Sequence, residues 1–599
     1  MRTHLTEPLR EVVEVEVRRA SSVAPARARV TESGPTSAVR RSSARAAWVG
    51  LGAVGALAVL VFWAFDALPF QDLPAHAGLI AMRHRFTEAG FESRFFVLAP
   101  HIGPYSLFRF LGEVFVRFVG PLGAVRALAT LPVIATPLAM LYARRRLHGD
   151  RSPLYGYLGI TLSFGFMTLM GFASYLLGVA VMLVGLVMWL ELLVAADDGA
   201  PDLRRRELGM ALFAPLIFVA HGHAFALFLL CAGVSAACVG LRAARLFRFR
   251  ALVPALLLAG WVAWVERGST TPSGSVPVVP PLVPIFQSPA AKFELLVTPT
   301  LMTRSGIDFF AGVALWLFAI TCTVYTVRSL LNGSQRNLTP EQRHGRALYA
   351  SAAALFVLFL VLPHAIGWFG FVDGRLLPLV LMLALLGVRR DALPRSLVLA
   401  ADIGVPASAA ALATVALVAS FFFQREAQGY REVLGRVPAQ ATLLNLPLDP
   451  NSDIFTGHPF VHYDKLALAE RPVVVSDVWF HQGSALYPTN ANPALRLPSS
   501  YSESDLKFID WPAYHLEDWE FVLIRTRPTA SSPTRPTTSP SRSTSAAGGS
   551  SSASRAPHPA EGDRVPDPHV GPCELLGCRA RADGLPRRAR RDRRLRRGA

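Results

Sequence analysis

Apolar runs long enough to cross a bilayer recur along this chain, and arginine clusters close every second one. Hydrocarbon admits only segments that satisfy their own backbone hydrogen bonds, so such runs must be helices. Basic residues collect in loops on the cytoplasmic side, so the clusters also set the direction of each span. The run from Ala46 to Phe65 has basic residues before it and no small-residue cleavage site after it. It reads as an uncleaved first helix with its N-terminus inside. Residues 121–143 run into Arg144-Arg145-Arg146, and residues 174–195 into Arg204-Arg205-Arg206. Residues 224–241 meet Arg242, Arg245, Arg248 and Arg250. Residues 309–331 meet a loop with Arg336, Arg343 and Arg346, and residues 376–388 meet Arg389-Arg390. Outward spans at 153–172, 208–220, 251–265, 347–362 and 397–423 complete the pattern. The expectation is an α-helical polytopic membrane protein of about eleven transmembrane helices.

Composition agrees, with 52% hydrophobic residues and only 17% charged. The net charge of +18 is not a nucleic-acid signal: residues 1–46 carry +4 of it and residues 527–599 carry +9. The remainder sits mostly in short inter-helix loops, where it reports topology. Residues 1–46 alternate arginine with Ser, Ala and Pro and read as a disordered basic cytoplasmic leader. Cys231, Cys238 and Cys322 lie in apolar runs, while Cys573 and Cys578 lie near the C-terminus, so no disulfide framework or zinc spacing emerges.

Two segments early in the chain should not span. Residues 73–100 hold Arg83, His84, Arg85, Glu88, Glu92 and Arg94, too many charges for hydrocarbon. Tyr105–Gly120 is apolar except for Arg109, Glu113 and Arg117, which recur at i, i+4 and i+8 on one helical face. One charged stripe on an apolar helix fits the interface plane. The alternative, a true span with an internal ion-pair ladder, would invert every downstream loop against the charge rule. Residues 66–120 are therefore read as an outer loop followed by an interfacial helix, within a transmembrane core of residues 47–423.

After Phe423 the apolar pattern stops. Residues 424–526 read as a small α/β extracytoplasmic domain with short strands at 441–446, 471–476 and 520–524. Its aromatic and histidine side chains, among them His458, His462, Tyr463, Trp479 and His481, suit either sugar binding or ordinary packing.

Several polar groups then fall on the outer side. Asp66, Asp72 and His76 follow the first helix, and Asp72 and His76 share a face if their loop is helical. His221 and His223 lie near the outer end of their spans, and His364, Asp373 and Arg375 frame a later outer loop. Such groups can act as bases, bind a divalent metal, or cap helices. His221-x-His223 is a weak metal motif, because a helix turns those side chains about 200° apart. No metal site and no cofactor is firmly implied. Asp72 and Arg375 stand above the others, since a carboxylate base and a phosphate-gripping arginine make a coherent pair.

The runs Pro100-His101-Ile102-Gly103-Pro104-Tyr105, Phe118-Val119-Gly120-Pro121-Leu122-Gly123 and Tyr142-Ala143-Arg144-Arg145-Arg146 carry a resemblance. Their order is similar to the start of GT-C membrane glycosyltransferases of the protein-mannosyltransferase and aminoarabinose-transferase type. The resemblance implies a lipid-linked sugar donor, usually a polyprenyl phosphate, and a glycan, lipid or protein acceptor of the cell envelope. Asp72 or Asp66 would be the catalytic base beside His76, and Arg375 would bind the donor phosphate. His221, His223, His364 and Asp373 would contact substrate. The usual Asp-Glu-x-x-Tyr is replaced here by Asp72-x-x-x-His76. Two rival readings are a membrane transporter and an idle relative that binds an envelope glycan or lipid. A cleft open to the outer leaflet and lined by Asp72, His76 and Arg375 favours transfer, and a path through the bundle favours transport.

Residues 527–599 are rich in Ser, Thr, Pro, Arg and Gly without hydrophobic periodicity and read as a disordered, basic, low-complexity tail. The chain has 3 lysines against 57 arginines, the bias of GC-rich bacterial DNA, which places the protein in a bacterial cytoplasmic membrane. Out-of-frame translation of such DNA yields this residue mixture, so the tail is expected to be a frameshift product. Resequencing the gene should reveal a frame change near the codon for Ile524. An intact single frame in close relatives, tail included, would refute it.

Overall fold

A computed structural model describes residues 35–98, 102–239, 246–268, 282–332, 339–367, 369–477, 486–504, 506, 511–526 and 573–577. The chain divides into two compact units, residues 1–50 and 51–599. Helix Pro35–Trp63 begins in the first and continues into the second.

Among the described residues, eight helices are long and apolar enough to cross a membrane. The chain is an integral membrane protein on that composition. Each of the eleven expected spans contains a helix, the one at 153–172 broken into Leu154–Ser163 and Phe166–Leu169, but three of them miss that standard. Leu154–Ser163 and Leu376–Leu386 have 10 and 11 residues, a rise of about 15–17 Å each. Leu203–Ala220 opens on Arg204, Arg205, Arg206 and Glu207. The physical reason is enclosure: every residue of Leu154–Ser163 is buried, as are ten of those in Leu376–Leu386. A short helix wrapped in protein need not match the bilayer thickness. Ala173–Asp197 is the most enclosed of the eight long helices. Helices at the rim instead expose Leu257, Trp264, Phe310, Leu317, Leu399 and Ile403, as lipid-facing surfaces do.

Several of the arginines at the helix ends are met by carboxylates among the described residues. Arg146 pairs with Glu191 at 2.7 Å, and Arg343 bridges Asp197 and Asp198 at 3.2 and 3.0 Å. Glu207 takes both Arg248 and Arg250. Buried Arg144 donates to the carbonyls of Leu386 and Val388 at 3.2 and 2.6 Å, closing the end of the short helix Leu376–Leu386.

The segment read as an interfacial helix is continuous by hydrogen bonding with the span after it, as Ser106–His148, but it breaks at Gly120. There φ is 67° and ψ is 176°, a conformation nearly confined to glycine, and Pro121 follows. The break separates the stretch carrying Arg109, Glu113 and Arg117 from the apolar run that ends at Arg144.

Beyond helix Arg395–Glu426 the chain forms a small α/β unit. Strands Thr442–Pro447, Val474–Val475 and Phe521–Arg525 lie parallel, with Thr442–Pro447 in the centre. These match the expected strands within three residues, because each is a short β-branched or leucine-rich run bounded by polar turns. Leu444, Leu446, Tyr514, Trp519 and Val522 pack on the sheet. The expectation of a wholly disordered tail is corrected at Cys573–Gly577, which pairs antiparallel with Phe521–Arg525. An exposed strand edge is an open row of hydrogen-bonding groups, and Cys-Glu-Leu-Leu-Gly is the stretch of the tail apolar enough to cover it. The other tail residues, like Trp479 and His481, lie outside the described ones.

The unit is fastened to the helices. Tyr463 donates to the Leu68 carbonyl at 2.9 Å, strand Phe96–Leu98 pairs with Leu486–Pro488, and Thr303 bridges Phe455. Gly120→Ala places a side chain in the strained region and should lower stability by about 1–3 kcal/mol. A thermal melt of the detergent-purified protein reads this out; an unchanged midpoint would show that the break relaxes at no cost.

Candidate functional site

At the end of the bundle opposite the arginine clusters lies a cavity of about 540 Å³. Three parts of the chain wall it: the loop and helix after the first span, the outer ends of several core helices, and the C-terminal unit.

Asp72 stands at the start of helix Leu73–Arg85, whose second residue is Pro74. A proline in the first turn costs no hydrogen bond, which explains why the helix begins there. The Asp72 side chain makes no capping bond, so its carboxylate faces the cavity. Backbone bonds from Gln71 to the Leu169 carbonyl and from Asp72 to the Met170 carbonyl, 2.9 and 3.2 Å, pin the segment. Gly171 allows that approach: φ is +81°, and a Cβ there would sit 2.8 Å from the Asp72 nitrogen. His76 follows one turn later, its ring 5.0 Å from that of Phe108, and also lines the cavity.

Arg375 precedes helix Leu376–Leu386 and is only 5% exposed. Its guanidinium lies 4.3 Å from the Phe172 ring and 4.1 Å from the Phe369 ring. It donates to the Gly370 carbonyl at 3.0 Å, while Nε has no hydrogen-bond partner. Among the described residues no carboxylate comes within 4.0 Å of it. A buried cation held by ring faces and left short of an anion is an anion site in waiting. Tyr175 donates to the Arg375 carbonyl at 2.5 Å, fixing the turn.

His221 also lines the cavity, wedged against the rings of Tyr105 and Tyr175 at 4.7 and 5.3 Å. Its Nδ1 accepts the His223 backbone N–H at 3.2 Å, which leaves the ring proton on Nε2. At the far side Arg83 pairs with Glu113 at 3.3 Å, and Arg109 donates to Ser106 at 2.9 Å. Thr456, Gly457, His458 and Ser504 close the cavity from the C-terminal unit.

The remaining expected residues lie elsewhere. Asp66 has a side chain 71% exposed, near Arg431 at 3.5 Å and Arg126 at 3.9 Å, because the chain turns outward where the first helix stops. His223 stands behind the wall, between the rings of Tyr175 and Phe369. Asp373 and His364 face away into a cluster of their own. Asp373 takes Lys292 Nζ and His364 Nδ1, each at 2.9 Å, and the Lys292 ammonium also donates to the carbonyls of Phe359 and Leu362. Burial pushes the Asp373 carboxyl up, but the hydrogen bonds from His364 and Lys292 outweigh it and hold it below the ordinary carboxylate range. This is a structural clamp on the loop that carries Arg375.

Sequence reasoning missed what stands behind Asp72. His462 Nε2 lies 3.7 Å from Asp72 Oδ1, and its Nδ1 lies 3.0 Å from Glu503. Lys465 bridges Glu503 and Asp464 at 2.5 and 3.0 Å. His462, Asp477 and Glu503 bring ligand atoms within 4.8 Å of one another, a spacing that suits a metal. The Lys465 ammonium already supplies the positive charge there, so the cluster is an ion-paired network. The only sequence signal was the density of histidines in the unit.

Electrostatically, burial raises Asp72 to about 7, against the opposing pull of His462 and Arg375. Burial lowers His76 to about 4, with His462 adding to the effect, so His76 is neutral at ordinary pH.

No protein-family model and no curated protein matches the chain. Two solved structures are similar in outline. One is the single-particle cryo-EM structure of the arabinofuranosyltransferase AftD from Mycobacteria: 15% identity, TM-score 0.42, covering 80% of this chain and 35% of that one. The other is the crystal structure of the Archaeoglobus fulgidus oligosaccharyltransferase: 14% identity, TM-score 0.37, covering 80% of this chain and 68% of that one. The chain thus spans about a third of the length of the mycobacterial enzyme.

Lys292→Met leaves the buried Asp373 carboxylate with only His364 and the Gly374 backbone N–H as partners and should destabilise the protein by about 3–5 kcal/mol. The pair Lys292→Met with Asp373→Asn should recover part of that loss in the same thermal melt. Equal midpoints for all three proteins would show that the clamp carries no net stability.

Proposed function

We propose that this cavity transfers a sugar from a polyprenyl-phosphate donor to a hydroxyl group of an envelope acceptor on the extracytoplasmic face. The observation that carries the reading is that Asp72 and Arg375, from distant stretches of the chain, line one enclosed space. The resemblance of residues 47–150 to GT-C glycosyltransferases supplies the donor class.

In the reaction, the acceptor oxygen attacks the anomeric carbon of the donor sugar, and the bond from that carbon to the phosphate oxygen breaks. The acceptor proton passes to Asp72, and the electron pair leaves with the lipid phosphate. A phosphate leaving group needs little acid assistance, so its charge must be met electrostatically. Arg375 meets it, at a buried site where a guanidinium acts more strongly than in water. The aromatic rings on which Arg375 rests exclude water from the leaving group. Tyr105, His76 and His458 add polar edges suited to sugar hydroxyls, and Phe108 and Phe172 offer apolar faces to a sugar ring or prenyl chain. The interfacial stretch 105–118 would bring the lipid donor to the cavity mouth.

A general base works only when ionised, and its best pKa lies near the working pH. With Asp72 at about 7, the carboxylate is protonated below that pH and ionised above it. Turnover should therefore rise with pH through a single limb near 7, measured with a radiolabelled polyprenyl-phosphate sugar in proteoliposomes. Asp72→Asn should remove the limb and lower kcat by about 10²–10⁴. Arg375→Lys should mainly weaken donor binding, because a point charge cannot rest between two rings as a planar guanidinium does. Full transfer by Asp72→Asn would refute the assignment.

A further inference from the structure

The helical core does not complete this site by itself. We propose that His462, supplied by the C-terminal unit, is the positioning residue of Asp72: it orients the carboxylate and holds its charge during turnover. The inference rests on the reading of Asp72 as the base.

The geometry is a chain of three side chains. Asp72 Oδ1 faces His462 Nε2 at 3.7 Å, and His462 Nδ1 bonds Glu503 Oε2 at 3.0 Å. An imidazole placed between two carboxylates is oriented by the one that is better fixed, and here that is Glu503. Its Oε2 takes the Lys465 ammonium at 2.5 Å, and its Oε1 takes Ser476 at 3.0 Å and Tyr501 at 3.2 Å. Lys465 is in turn held by Asp464, which also takes the Asn445 side chain at 3.1 Å. Asn445 sits mid-strand in Thr442–Pro447, so the array is anchored in the central strand of the sheet. His462 is 6% exposed, Glu503 3%, and Lys465 2%. Buried charges in this number are costly to desolvate and are not explained by packing.

The orientation follows from the donors. Burial pushes the Glu503 carboxyl up, yet Lys465 and His462 outweigh it and hold it at about 2. Glu503 is therefore an acceptor only, which puts a proton on Nδ1 of His462 and turns Nε2 toward Asp72. Burial lowers His462, but the hydrogen bond to Glu503 outweighs that and raises it, so the ring beside Asp72 takes up a proton more readily than a free imidazole. The arrangement is that of a carboxylate–imidazole pair in which the outer carboxylate sets tautomer and direction. A small movement of Asp72 converts the 3.7 Å approach into a hydrogen bond. The titratable groups facing His462 from the cavity side are Asp72 and His76; from the unit itself they are Asp464, Lys465, Asp477 and Glu503, with the Tyr501 hydroxyl bonded to Glu503. Glu503 lies against its Nδ1 and Asp72 against its Nε2, and the Asp477 carboxylate lies within 4.8 Å of the same cluster.

The test uses the full-length protein in proteoliposomes, with three variants and a pH series. His462→Phe should lower kcat by about 10²-fold, the cost of a misplaced catalytic group, with KM for the donor unchanged. Loss of the facing positive charge should also move the acid limb upward by about one unit. His462→Gln keeps a polar group facing Asp72 and should recover part of kcat while leaving the limb raised. Glu503→Gln should lower kcat in the same direction by freeing the ring. An unchanged limb and an unchanged kcat in His462→Gln, with Asp72→Asn still inactive, would overturn the positioning role and leave the base reading intact. Transfer by Asp72→Asn would overturn the base reading itself. Should His462→Phe fail to fold, the Gln variant decides alone, because its pH limb reports charge at Asp72 and not packing.

Discussion

Charge inside an apolar helical bundle must be compensated, and this protein places its charges at the two ends of the helices accordingly. At one end several arginines meet carboxylates directly: Arg146 with Glu191, Arg343 with Asp197 and Asp198, and Glu207 between two arginines. At the other end compensation is left partial. Arg375 rests on rings without a carboxylate in contact, and Asp72 is buried next to an imidazole. The difference between the two ends is what marks one of them as the candidate site. A finished ion pair has no affinity to spare for a ligand, while an unfinished one does.

The loop that carries Arg375 is made rigid by a separate device. Lys292, His364 and Asp373 form a buried cluster whose members all face away from the cavity. This arrangement lets a cation sit at the cavity wall without collapsing onto the nearest acid two residues before it. On the opposite wall, Gly171 lets the backbone come close enough to hold Asp72 by its neighbours' carbonyls. The backbone around Asp72 and around Arg375 is thus held by contacts outside the cavity.

Much of this was legible in the chain. The apolar runs between arginine clusters gave the helices, because hydrocarbon admits only segments that satisfy their own backbone hydrogen bonds. The change of character at Gly120-Pro121 marked a break that the backbone torsions show. Asp72 and His76 shared a helical face as their spacing required. The expected residues that do not line the cavity share one feature. Asp66, Asp373 and His364 were as polar and as close to the outer side as Asp72 and Arg375, and spacing cannot tell which way a loop turns its side chains. The strand Cys573–Gly577 lay hidden in a low-complexity stretch, since pairing with an open edge depends on the partner and leaves no periodicity of its own.

By itself, then, the order of residues determined a membrane-embedded helical body with its basic loops on one side and a small α/β unit after it, because solvent preference is a property of each segment alone. Which polar groups converge was decided only when the helices packed and the last unit closed over them. His462 reaches Asp72 across nearly the whole length of the core, and that approach is fixed by Tyr463 on Leu68 and by the paired strands Phe96–Leu98 and Leu486–Pro488. Contacts of that kind depend on the shape of two surfaces at once, and no local run of sequence encodes them.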